Sequence, residues 1–159
     1  MAKFQMTELV DIAKTVTARL GANTGSANWL TDLEVGKFVK LAGESRYDLC
    51  AVGNEIEGRM AAYEPASQDG YAIGSVTTQG RFQVTFDGLQ ATPGTGTLAI
   101  GDYVVAGTAV AKGTALTVPA KVCKATAAGN TLNFKWRVVS LGSAGTGAVG
   151  TTGVIEFVA

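Results

Sequence analysis

The chain has 159 residues, enough for one ordinary domain or a small domain with an arm. Hydrophobic residues make up 47% and charged residues only 16%, so there is material for a core, and the places Lys and Glu usually hold go to small neutral residues, including 21 Gly and 19 Thr. With 13 basic and 13 acidic side chains the formal net charge is zero, which argues against a phosphate-neutralising basic stripe and hence against direct nucleic-acid binding.

Residues 6–20 are the one helix candidate. Met6, Leu9, Val10, Ala13, Val16, Thr17 and Leu20 recur at steps of three and four, with Thr7 placed to cap the start and Gly21 the end. Thr15, Val16 and Thr17 are β-branched and lower helix propensity, which leaves an extended arm as the alternative. Residues 21–28 form a polar connector, so residues 1–32 are expected to be an appendage and residues 33–159 the β domain. Removal of residues 1–28 is accordingly expected to leave that domain folded. Trp29, beside the connector, either staples the appendage to the domain or anchors it on a partner.

From residue 35 onward short apolar runs alternate with turn residues. The segments 35–41, 47–52, 55–63, 71–76, 81–86, 98–106, 115–123, 131–141 and 153–158 are predicted strands at a spacing typical of a sandwich or barrel. Phe82, Val84 and Phe86 alternate with Arg81, Gln83 and Thr85, placing apolar groups on one face. The fold class is mainly β: a compact β-barrel or β-sandwich with a short N-terminal helix or extended arm. Val35-Gly36-Lys37-Phe38-Val39 echoes Ile100-Gly101-Asp102-Tyr103-Val104, best explained by shared turn chemistry.

Residues suited to catalysis are scarce. The chain contains no histidine, which removes the commonest general base and zinc ligand. Glu55 and Glu57 share a strand face and are read as a solvated acidic edge. Gly145-Thr146-Gly147-Ala148-Val149-Gly150 matches G-x-G-x-x-G as a string, but only nine residues follow and they read as a strand, so the segment is expected to be a hairpin loop. Cys50 and Cys123 each lie in an apolar run and are read as buried, reduced thiols. Lys112, Lys121, Lys124, Lys135 and Arg137 give the second half a basic excess, read as solvated strand faces or as a patch for an acidic partner. In Phe134-Lys135-Trp136-Arg137 the alternation sends Phe134 and Trp136 to the core. No catalytic residue, cofactor or metal is expected. The N-terminus lacks an apolar signal core and no run is long enough to span a membrane, so synthesis in a cytosol and no membrane partner are expected.

The segments 35–41, 47–51, 54–58 and 98–107 together resemble the small decoration, or cement, proteins of tailed-bacteriophage capsids. That resemblance implies a virion structural protein on the capsid exterior that binds the assembled shell and bridges major capsid subunits. It also implies a homo-oligomer, with a trimer favoured over a dimer. An arm would need apolar anchors to offset its ordering entropy, and Phe4, Met6, Leu9 and Trp29 are the candidate partner contacts. The alternatives are a carbohydrate- or receptor-binding domain of a fibre, which would present Trp136 with Tyr71 or Tyr103, and a tail-tube or head-completion subunit.

Overall fold

The computed structural model describes residues 14–21, 29–43, 46–64, 72–126 and 135–158. Among them there is no α-helix, and the strands form two β units packed side by side.

The first unit is a closed barrel. Strands β1 (Thr15–Leu20), β2 (Phe38–Gly43), β3 (Arg46–Leu49), β4 (Gly58–Glu64) and β5 (Ile73–Thr77) follow one another around it in the order β1-β3-β2-β4-β5. β1 closes the ring, antiparallel to β5 from Thr15–Thr77 to Arg19–Ile73 and parallel to β3 at Arg19–Arg46 and Leu20–Tyr47. Leu20, Leu30, Val39, Met60 and Val76 fill the interior. So narrow a barrel needs a residue without a side chain where strands converge. At Gly74 an added Cβ would strike the Ala62 carbonyl and Leu20.

Of the helix candidate at residues 6–20, residues 15–20 are a strand, the extended alternative, while residues 6–13 lie outside the described residues; this strand belongs to the barrel although it precedes the boundary expected near Leu33. Val16, Ala18 and Leu20 follow a two-residue period, Val16 and Leu20 alone also fit a helical one, and the β-branched Thr15, Val16 and Thr17 favour the strand. Thr15, Thr17 and Arg19 face outwards, whereas Ala18, Leu20 and Leu30 are buried. A deletion through residue 28 therefore removes a barrel strand, not an appendage.

The second unit comprises β6 (Arg81–Leu89), β7 (Thr92–Pro93), β8 (Thr97–Leu98), β9 (Val104–Ala106), β10 (Lys121–Lys124), β11 (Trp136–Ser140), β12 (Gly147–Ala148) and β13 (Thr152–Phe157). Its main sheet runs β11-β13-β6-β10-β9, with β7 on the end of β6 and β8–β12 as a separate ribbon. The sheet curls until its ends meet. Tyr103 bridges Arg137, the Val138 N–H donates to the Asp102 carbonyl at 2.9 Å, and the Gly101 N–H donates to the Val138 carbonyl at 2.8 Å. Few backbone groups are left as an open edge at that seam.

The echo between residues 35–39 and 100–104 has a backbone counterpart. Gly36 and Gly101 both have φ of 90°, a left-handed conformation that glycine adopts without strain, and each precedes a strand. The predicted strand 115–123 is realised only from Lys121, because Pro119 lacks an N–H and the preceding residues serve a different purpose described below.

One core serves the second unit and the junction. Phe82, Val84, Phe86, Trp136, Val138 and Ile155 pack with Phe38, Cys50 and Ile56 from the first unit. Trp136 stacks on Phe82 with centroids 4.7 Å apart, and its Nε1–H donates to the Ile56 carbonyl at 2.9 Å. Asn54 and Gly53 add strand-like bonds across the junction. The Gly53 N–H donates to the Ala106 carbonyl at 2.8 Å and the Ala106 N–H to the Asn54 carbonyl at 3.0 Å.

Candidate interaction surface

Three of the four expected partner contacts, Phe4, Met6 and Leu9, lie outside the described residues, as does Tyr71. Trp29 bridges Gly21 in backbone pairing and packs against the barrel core, with its Nε1 buried and unbonded among the described residues. Within the described residues its ring staples the chain to the barrel. Trp136 is 1% exposed, as strand alternation predicts, and so offers no platform for a sugar or a base. Residues 145–150 lie in the connection between the paired strands β11 and β13, as expected for a hairpin loop, with β12 inside the segment pairing with β8 and no helix following the glycines.

The ionisable groups are largely occupied with one another. Lys135 reaches across the junction to Glu57 at 2.7 Å and to Glu55 at 3.4 Å. The Glu55 contact is an ion pair without hydrogen-bond geometry, so that Oε1 is buried with no donor. Burial opposes the charge on Lys135, but the two carboxylates outweigh it and raise its pKa. Lys121 pairs with Asp87 at 3.4 Å, Lys124 with Asp102 at 2.8 Å, and Arg81 and Arg137 both with Glu156, at 3.0 and 3.7 Å. Four of the five cations in the basic group thus already face carboxylates, which weakens the reading of an acidic-partner patch. The thiols are equally withdrawn. Burial pushes Cys50 up to about 12 and Cys123 up to about 11, far from nucleophilic use at neutral pH.

A buried tether missed in the sequence organises the junction's outer rim. Thr31-Asp32-Leu33-Glu34 is a capping box on a single 3-10 turn (Asp32–Glu34), a pattern that T-x-x-E announces. Glu34 is 0% exposed, and both its oxygens are engaged. Oε2 accepts from the Thr31 N–H at 2.7 Å and the Thr31 hydroxyl at 2.8 Å; Oε1 accepts from the Gly113 N–H at 2.6 Å and lies 3.5 Å from the Lys37 Nζ. Lys37 in turn donates to the Ala111 carbonyl at 2.9 Å. Burial alone would raise the Glu34 pKa, but these donors and Lys37 outweigh it and hold the carboxyl below its usual range. Residues 107–120 are therefore strapped to the barrel in the middle, and at one end the Thr108 N–H donates to Asp87 at 2.7 Å.

Under the strap lies a narrow apolar crevice of about 40 Å³, lined by Phe38, Cys50, Val110 and Leu116 among others, with room for roughly one or two water-sized groups. Beside it opens a wider cleft of about 350 Å³, lined by Gly36, Arg59, Gln83 and the segment from Leu116 to Ala120. Exposed apolar side chains accompany this region. Val118 lines the cleft itself, and Leu33 and Val35 lie in the chain just before Gly36. Among the described residues no three metal-ligating side chains converge. What this face offers is a shaped, mostly apolar rim with one guanidinium. No protein-family model, curated protein or solved structure matches the chain.

Proposed function

We propose that this is a structural protein of a bacteriophage virion that binds the outer surface of the assembled capsid and stabilises it by bridging major capsid subunits. The observation that carries the reading is how the stretches resembling decoration proteins come together. Residues 35–41 and 47–51 form the β2–β3 hairpin, with Val39 opposite Leu49 and Leu41 opposite Tyr47. Asn54 in the third stretch accepts from Lys40 at 3.0 Å and from the Ala51 N–H at 2.8 Å, and its carbonyl meets Ala106 of the fourth. The shared pattern is one continuous frame for the junction, not scattered turn motifs. A clamp under load needs such a frame, and it needs no reacting group. The occupied ion pairs and buried thiols are consistent with that role.

Assembly as a homo-oligomer, with a trimer favoured, belongs to the same proposal. Many-copy display would let each contact be modest. Mixing the purified protein with undecorated, expanded capsids of its own phage is expected to give saturable binding at fixed stoichiometry and to raise the temperature at which the shells rupture. Absence of binding to those shells would overturn the proposal.

A further inference from the structure

Among the described residues of the junction, Arg59 is a cation supplied with neither an anion nor a hydrogen-bond acceptor, whereas Lys40 at least meets the Asn54 amide oxygen. Arg59 lies on β4 between the buried Gly58 and Met60, so alternation turns it away from the barrel interior and onto the second unit. Its guanidinium carbon sits 4.6 Å from the centroid of the Phe82 ring. Lys37, Lys40, Lys121 and Lys135 nearby all have acceptors, whereas Arg59 has neither a hydrogen bond nor an ion pair among the described residues. Burial is the one influence on its titration, and it disfavours the charge. A partly dehydrated guanidinium without a counter-ion is costly unless something completes it.

We propose that the Arg59 cleft binds a carboxylate, contributed by an Asp or Glu side chain of the protein's partner. The guanidinium fork matches a carboxylate with two parallel N–H···O bonds, and the Phe82 ring beneath it holds the cation at the cleft. Gln83 and Thr117 place neutral donors along the same cleft. A single cation balances one carboxylate charge and leaves a phosphate dianion half neutralised, which favours the carboxylate. Leu116, Val118 and Pro119 supply the apolar wall that excludes water around such an anchor. Gly36 keeps the cleft open, since a Cβ there would come within 3.2 Å of Leu116 and its φ of 90° disfavours any other residue. The partner's identity as a shell subunit rests on the function proposed above, whereas the carboxylate chemistry rests on the cleft alone.

Two arms separate these. In the first, the full-length protein is titrated with glutarate against sodium chloride at equal ionic strength, and the Gln83 side-chain amide resonance is followed by NMR. The expected result is a saturable shift with glutarate only, weakened at least about fivefold by Arg59→Lys, which keeps the charge and loses the fork. Thr117→Asp, an exposed substitution that offers its own carboxylate, is expected to abolish the response without relying on a change to the Phe82 contact. In the second arm, both variants are expected to bind expanded capsids about tenfold or more weakly. A glutarate response no greater than that of chloride overturns the inference. Unchanged shell binding by both variants overturns the assignment to a partner's side chain. A retained glutarate response with no shell binding by the parent protein supports the carboxylate site and overturns the capsid function.

Discussion

The two β units are made of similar strands and reach stability by different routes. The barrel is closed by hydrogen bonds around its whole circumference and filled by aliphatic side chains that it supplies itself. The second unit closes through a short seam at residues 101–103, and its core is aromatic, with Phe157 set edge-on to Trp136 at 5.4 Å. It also borrows Phe38, Cys50 and Ile56 from the barrel. The barrel's core is thus its own, while the second unit's core is completed from outside. Contacts at the junction therefore serve the second unit's stability as much as they fix the angle between the two.

The severest way to break this asymmetry is to remove β1. Deleting residues 1–20 strips Leu20 from the barrel core and leaves β3 and β5 without their shared partner. Hydrogen exchange is expected to accelerate to near-unprotected rates in β2, β4 and β5, and to rise in β6 and β11 as Phe38 and Ile56 lose their places. Unchanged protection in β6 and β11 would show that the second unit stands alone. Trp136→Ala attacks from the other side. It removes the largest fully buried side chain and orphans the Ile56 carbonyl, at a cost of about 3–5 kcal/mol. Denaturant unfolding should read that loss, with amides of Met60 and Val76 staying protected under native conditions because their packing lies within the barrel.

The same asymmetry explains what was legible in the sequence. Alternation found the strands of both units because a half-buried strand must repeat every two residues, and it placed Phe82, Val84, Phe86 and Trp136 inside without help. It failed at residues 15–20, where Val16 and Leu20 satisfy two periods at once, the β-branched neighbours favour a strand locally, and pairing with a strand nearly sixty residues away completes the choice. The division into two units was hidden for a related reason: the chain passes from β5 to β6 through three residues with no linker composition to mark it. Arg59 was invisible as a candidate because nothing local distinguishes a solvated strand arginine from one laid across a distant ring. Glu34 did carry a local signal, the T-x-x-E box, though that pattern could not show that Gly113 would come to share its carboxylate.

That shared carboxylate gives the mildest and most specific break, because it loosens the strap without touching either core. Glu34→Gln keeps the shape but turns an amide NH₂ toward one pair of the donors that the carboxylate satisfied, Gly113 and Lys37 or the two groups of Thr31. About 1–3 kcal/mol is expected to be lost at neutral pH. The pH dependence identifies the source. The folded Glu34 carboxyl titrates below its ordinary value of 4.5, so its stabilisation is complete above that value and is lost as pH falls through the lowered one. Asp87 is likewise held low: burial pushes it up, but the Thr108 bonds and Lys121 outweigh this, so the parent protein loses stability in the same acid range for two reasons. The Asp87 contribution cancels in the difference between parent and variant. Their unfolding free energies are expected to be furthest apart at pH 6–7 and to converge as pH falls below 4.5 and on through the lowered folded carboxyl. A difference that stays constant through that range would mean that the glutamine acts through shape, and that the charge on Glu34 is not what holds residues 107–120 across the junction.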